Sequence, residues 1–372
     1  MKLKIKQKIF MENLNYVIKG VSNKNLIPIL NCIKLELTNE GLYLLSTDNE
    51  IAIKSFIDKK DIEQIEECGE VVISGRYLYD IIRKLDRSTI NIEEVIDSQV
   101  LITTTSSSFK LNCNNVSEFP DIDLSFTENP VIIDSEVLKT TINQTLFAAS
   151  LQESRPILTG LNFKIQNDTL EVTGTDSYRL SKKRIKLSTS VKENVDIVVP
   201  YKTLSELTKI LSSEEKVELH IFSNKLIIKN DNLIIMTRLI NGNYPDTNKL
   251  IPKEFDIKLK VNLNSFYNAI DRASLLTNTE EKNIIKLETK KDKMIISSNI
   301  PEIGNVEETL KINKDSNEEI KISFSSKYMM EALKTFDSEE IEISFNGEIK
   351  PIIINYVDNE TLTQLILPIR TY

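Results

Sequence analysis

Residues 170–184 read LEVTGTDSYRLSKKR. Apolar Leu170 and Val172 alternate with polar Glu171 and Thr173, Gly174 interrupts the run, and Thr175, Asp176 and Ser177 supply a turn before a second strand. The stretch reads as a hairpin. Its pattern returns at 42–50 as LYLLSTDNE and, more weakly, at 294–302 as MIISSNIPE. Thr47-Asp48 precedes Thr175-Asp176 by 128 residues, and Ser298-Asn299 follows it by 123. A spacing close to one third of 372 residues implies three tandem copies of one unit.

Helical periodicity repeats at the same interval. Phe10, Leu14, Val17 and Val21 share one face of an expected helix over 7–21; Leu138, Ile142, Thr145 and Ala149 answer them, and then Phe266, Ile270, Ala273 and Thr277. A second set follows in each unit: Leu78, Ile81, Ile82 and Leu85; Leu204, Leu207, Thr208 and Leu211; Met329, Ala332, Leu333 and Phe336. Ser74, Pro200 and Ser325 stand where these helices start. Strand-like runs fill the remainder, among them 90–95, 100–105, 217–222, 226–229, 341–345 and 352–356. Phe119-Pro120-Asp121 and Tyr244-Pro245-Asp246 close the first two units 125 residues apart. The expected domains are 1–127, 128–255 and 256–372, and the fold class is α+β, each domain combining two helices with antiparallel sheets.

Composition narrows the chemistry. Nine glycines and ten prolines leave no long linker, so the units are expected to pack edge to edge. Cys32, Cys68 and Cys113 are odd in number and lack a CxxC pair, which argues against a disulfide framework and a zinc site. The start, MKLKIKQKIF, alternates too strictly for a signal peptide, and there is no apolar run of membrane-spanning length. A cytoplasmic chain with reduced thiols is expected, with no cofactor and no membrane partner. The only histidine, His220, lies in the strand-like VELHIF and reads as a satisfied strand residue. No Gly-rich phosphate loop, HExxH or GxSxG motif occurs. Asp48 and Asp176 read as turn residues capping their own backbone rather than as a catalytic pair.

The net charge of -8 is unevenly placed. The six helical windows 8–20, 75–87, 135–150, 201–212, 262–277 and 326–337 hold 12 Lys/Arg against 8 Asp/Glu, a net of +4, whereas the rest holds 35 against 47, a net of -12. Such a division suits a polyanion bound on the helical side alone. Lys8, Lys19, Arg76, Arg83, Lys84, Lys139, Lys202, Lys209, Arg272, Lys327 and Lys334 are the basic candidates.

Taken together, the three units, ESRPILTG at 153–160, TDSYRL at 175–180, NYPD at 243–246 and LPIR at 367–370 resemble the bacterial DNA polymerase III beta-subunit (sliding clamp) family over the full length. The resemblance implies two helices on the inner side of each domain, sheets outside, and a head-to-tail homodimer closed into a ring. Size agrees, since a domain of about 124 residues measures roughly 35 Å across. Three such bodies leave a hole of only a few Å, while six leave about 35 Å, ample for a duplex whose major groove alone is ~8.5 Å deep. The function implied is a non-catalytic processivity factor of the polymerase holoenzyme that encircles double-stranded DNA independently of sequence. Its partners would be a clamp loader, the replicative polymerase and repair polymerases, docked through short linear motifs. The competing readings are a repeat-built protein-interaction scaffold that never encircles DNA and, more remotely, a hydrolase using Asp176.

Family matching assigns residues as well. DNA contact falls to Lys24, Arg76, Arg83, Gln152, Lys202 and Arg272. The deeper part of the peptide pocket takes Leu158, Thr175, Tyr178, Arg179, Leu180, Pro245, Leu250, Leu365 and Leu367, with Tyr328, Pro351, Pro368, Ile369 and Arg370 nearer its rim, and Ser177 and Lys249 also belong to the peptide-binding set. Arg179 and Arg370 would donate to the peptide backbone or its carboxylates. Phe109 and Leu111 would meet Leu275 and Leu276 across the dimer joint, where Glu302, Glu307 and Glu308 face basic groups. Ser177-Tyr178 replaces the Gly-or-Ser followed by His of many members, Lys249 stands where arginine is common, and Tyr372 extends the usual end.

Overall fold

A computed structural model describes residues 1–22, 27–95, 98–211, 215–277 and 283–370. Six α-helices lie among them, two per third of the chain: α1 Gln7–Val17 and α2 Gly75–Lys84, α3 Ser135–Thr145 and α4 Tyr201–Ile210, α5 Leu263–Ser274 and α6 Ser326–Leu333. The expected apolar faces are the buried ones: Phe10, Leu14 and Val17 are fully enclosed, as are Leu138 and Ile142, and Phe266, Ile270 and Ala273. Enclosing one such side chain stabilises the fold by about 1.5–3 kcal/mol. The first helix ends sooner than its periodicity predicts, tightening into a 3-10 turn over Ile18–Gly20. Ser74 and Ser325 occupy N-cap positions as expected, yet neither hydroxyl makes the capping hydrogen bond.

The described residues form two compact units. One comprises Met1–Glu136 with Lys209–Leu239, the other Val137–Thr208 with Ile240–Tyr372. The first is built on one continuous antiparallel sheet of 13 strands. Within it the second third contributes a strand directly to the first third's sheet, Leu233–Arg238 pairing with Ile51–Asp58. The second unit carries a nine-stranded and a four-stranded sheet. There Arg179–Lys186 pairs with Asn359–Ile366, so strands of the second and third repeats share one ladder. Edge-to-edge packing of the repeats is therefore hydrogen-bonded, and the compact bodies cut across the sequence thirds.

The hairpin at 170–184 forms from Thr169–Thr175 and Arg179–Lys186. Gly174 does not break its first strand, since it pairs with Ser181. A Cβ at Gly174 would come within 2.6 Å of the Thr145 carbonyl oxygen and 2.7 Å of the Leu161 side chain, so the glycine serves close approach. The hairpin at 42–50 is its counterpart, with Gly41–Thr47 pairing with Ile51–Asp58. In the third copy the turn falls later than expected. Ser298 and Asn299 lie inside the strand Lys293–Ile300, paired with Val306 and Asn305, and the chain reverses over 301–303.

Candidate functional site

The turn that joins the 170–184 strands is tied by four short hydrogen bonds. Thr175 Oγ1 donates to Arg179 O at 2.6 Å and accepts from Ser177 N at 3.2 Å, while Asp176 Oδ1 accepts from Tyr178 N and Arg179 N, each at 3.0 Å. The same four bonds recur 128 residues earlier among Thr47, Asp48, Asn49, Glu50 and Ile51. The aspartates are turn caps, as their sequence setting predicts. Ser177 adopts φ 77° and Asn49 φ 75°, a left-handed conformation that explains why glycine suits this position. The turn carries Tyr178 outward with 55% of its surface exposed, and its carbonyl accepts from Leu367 N at 2.9 Å. Leu250 and Leu367 are also exposed apolar side chains of this unit. Pro245, Lys249 and Arg370 are exposed as well, and Tyr328, Pro351, Pro368 and Ile369 are half-buried.

Five of the expected pocket residues are buried or engaged by neighbours within the unit. Leu180 and Leu365 face each other across neighbouring strands and are 1% and 3% exposed, packed with Ile353 beneath Ile251 and Phe255. Strand alternation sends the Leu180 side chain to one sheet face and Arg179 to the other. Arg179 is committed within the unit. Nε bonds Asp176 at 3.0 Å, one Nη pairs with Glu331, the other donates to Phe147 O at 2.7 Å, and the guanidinium lies 4.5 Å from the Tyr328 ring centre. A guanidinium so engaged and 10% exposed clasps the turn to Glu331 and to the Phe147 carbonyl. Leu158 and Thr175 are likewise buried. Burial, and then the Asp176 charge, push the Tyr328 phenol up.

Among the basic candidates, Arg76 is exposed on α2, and Arg83 is exposed but paired with Asp80 at 3.1 Å. Lys202 is exposed on the first turn of α4, and Gln152 lies exposed in the loop after α3, its N–H donating to Ser150 Oγ at 3.1 Å. Lys24 lies outside the described residues. Arg272 is exposed but ion-paired. It forms a two-pronged pair with Glu308, Nε and Nη2 donating at 2.8 and 2.7 Å, so a residue assigned to DNA and one assigned to the dimer joint neutralise each other. The guanidinium holds the Glu308 carboxyl below the usual carboxylate range.

Two strand edges carry the remaining expected residues. Phe109 and Leu111 belong to Ser108–Asn114, whose 108–112 portion pairs on one side only, with Gln99–Thr103. Glu307 and Glu308 belong to Gly304–Lys311, which ends its four-stranded sheet and alternates half-buried with exposed residues. Each edge leaves a row of backbone donors and acceptors without a strand partner among the described residues, an arrangement that invites another chain. Leu275 is 78% exposed, Leu276 half-buried and Glu302 exposed. Exposed Ile303 adds an apolar side chain that hydrophobic periodicity did not single out.

His220 is buried and satisfied: Thr127 N donates to Nδ1 at 3.1 Å, and Nε2 lies 3.1 Å from Glu218. Among the described residues no group of three His, Cys, Asp or Glu side chains could hold a metal, and no helix is long and apolar enough to cross a membrane.

Models of three domains of the DNA polymerase III beta subunit match the chain in order: the N-terminal domain at 1–123, the central domain at 132–246 and the C-terminal domain at 248–370. The chain belongs to the DNA polymerase III beta-subunit family. Beta sliding clamps of Staphylococcus aureus and Staphylococcus epidermidis are each 40% identical to it across the full length of both chains. The crystal structure of the DNA polymerase sliding clamp from Bacillus subtilis superimposes with a TM-score of 0.96 at 39% identity, covering all of both chains. That of the DNA polymerase III beta chain from Streptococcus pneumoniae does so with 0.95 at 32%, again over both full lengths. The beta-subunit fold, three tandem domains of paired helices and antiparallel sheets, is thus the fold of this chain.

Proposed function

We propose that this chain is a sliding clamp: a DNA polymerase processivity factor that encircles duplex DNA and tethers polymerases to it without itself catalysing a reaction. One observation carries the reading, the end-to-end match of its three domains to beta sliding clamps. The two strand edges support pairing into a head-to-tail homodimer, the 108–112 edge of one copy adding to the 304–311 edge of the other. Phe109, Leu111, Leu275 and Leu276 would supply apolar cover there. Arg76, Arg83, Lys202, Gln152 and Lys24 are proposed to meet phosphates, which fix position without reading bases and so permit sliding. Exposed Tyr178, Leu250 and Leu367, with Pro245, Lys249, Pro351, Pro368, Ile369 and Arg370 around them, are proposed to receive an extended peptide from a clamp loader, a replicative polymerase or a repair polymerase. Arg370 is then the guanidinium open to a peptide carboxylate. A cytoplasmic location accords with this role.

The decisive experiment loads the chain onto nicked circular DNA and then cuts the circle. A clamp stays bound to the circle and leaves the linear product. Equal retention on both would mean contact binding instead of encirclement and would favour the scaffold reading.

A further inference from the structure

The loop bearing Gln152 and the turn bearing Tyr178 are fastened to each other twice, in opposite directions. Arg155, from the loop, donates through Nη1 to Ser177 Oγ on the turn at 3.2 Å. Arg179, from the turn, donates through Nη2 to Phe147 O at the base of the loop at 2.7 Å. The loop itself is closed at its neck, where Ser150 N donates to Leu158 O at 2.8 Å and Leu158 N to Arg155 O at 3.0 Å. Its tip holds exposed Gln152 and Leu151, the latter 77% exposed. The turn in turn holds the C-terminal segment, through Leu367 N on Tyr178 O.

We propose that Arg155 is a strut coupling peptide docking at Tyr178 and Leu367 to the DNA-facing loop at Gln152, so that each ligand strengthens binding of the other. This rests on the proposed peptide and DNA sites. The physical reason is shared ordering. A peptide lying on Tyr178 restrains the 176–178 turn, and the restraint passes through Ser177 Oγ and Arg155 to the loop. Duplex DNA meeting Gln152 then finds part of the ordering already done. Arg179 is anchored outside the turn by Glu331, so its bond to Phe147 O is the fixed fastening of the two. Arg155 is exposed and has one bond to the turn, so it can be released without unfolding either element.

The test titrates the full-length protein with a short blunt duplex at low salt, with and without a saturating synthetic hexapeptide ending in Leu and Phe, and follows hydrogen exchange at Ser150 and Gln152. The peptide is expected to tighten duplex binding about fivefold, at the low end of measured couplings, and to slow exchange at both amides. Arg155→Ala and, independently, Ser177→Ala remove the same hydrogen bond and should bring that factor to one. Arg155→Ala should leave peptide affinity within about twofold, as for an exposed substitution. A protein that binds both ligands without mutual effect, or an Arg155→Ala variant still coupled, overturns the strut while leaving the clamp reading intact. Failure to bind the peptide at all overturns the peptide-site reading and the coupling with it.

Discussion

Ser46 and Gly174 stand 128 residues apart at the same point of two hairpins, each against the end of the helix that opens its repeat. Ser46 Oγ donates to Val17 O, whereas at Gly174 the Thr145 carbonyl approaches so closely that a Cβ would stand 2.6 Å from it. Ser298 completes the series, donating to Ala273 O at 2.7 Å, and Val17, Thr145 and Ala273 are themselves spaced by 128. The two serines reach a helix-end carbonyl with a hydroxyl, and the middle repeat has instead a glycine where the helix-end carbonyl leaves no room for a side chain. Gly174→Ala is therefore expected to destabilise by about 1–3 kcal/mol through overpacking against backbone. Calorimetry should show a lowered unfolding temperature, and an unchanged one would mean the helix end yields freely.

Arg179→Met should destabilise by about 1.5–3 kcal/mol, because it strips Asp176 and Glu331 of a charged donor in a half-buried setting. Denaturant unfolding measures this. Peptide affinity should fall no further than the altered turn explains. A variant of full stability that has lost only peptide binding would restore Arg179 to the role family matching assigned it.

Glu308→Gln is expected to release Arg272 from its two-pronged pair. Duplex binding should then gain a phosphate contact, steepening the salt dependence by about 0.9 in log-log slope. The pair also has a pH signature. The folded-state Glu308 carboxyl titrates below its ordinary value of 4.5, so its stabilising contribution is present above that pH and is lost as pH falls through the folded value. Acid-unfolding curves of wild type and Glu308→Gln should converge at the acid end. Arg272 is exposed and Glu308 only half-buried, so solvent screens the pair and the separation above pH 4.5 is expected to be small.

Leu275→Asp should leave each unit folded, since 78% of the side chain is exposed, yet weaken self-association by roughly 30-fold or more if Leu275 anchors the joint. Sedimentation at micromolar concentration distinguishes a dimer from a monomer. Unaltered association would remove Leu275 from the interface.

Much of the architecture was legible in the residue pattern because it depends on local chemistry that repeats. Thr-Asp turns cap themselves, and apolar residues at i, i+3, i+4 and i+7 must face a core, so hairpins and helices announced themselves every 120-odd residues. The third hairpin was misplaced because Ser298 and Asn299 resemble turn residues in composition while the ladder carries them as strand. The basic helix residues could be counted, but their partners could not. Arg272 and Glu308 are 36 residues apart, on a helix and a strand edge whose meeting no spacing rule foretells.

By itself the sequence determined that one α+β unit was written three times, and its motifs placed the chain in a clamp family, because turn capping, helix periodicity and short motifs are properties of neighbouring residues. Only the tertiary structure decided which side chains remain available. It closed Leu180 and Leu365 under Ile251 and Phe255, engaged Arg179 with Asp176 and Glu331, and left the edges at 108–112 and 304–311 without a second strand partner among the described residues. Burial and pairing are settled by segments distant in the chain, and a linear pattern holds no record of which distant segment arrives.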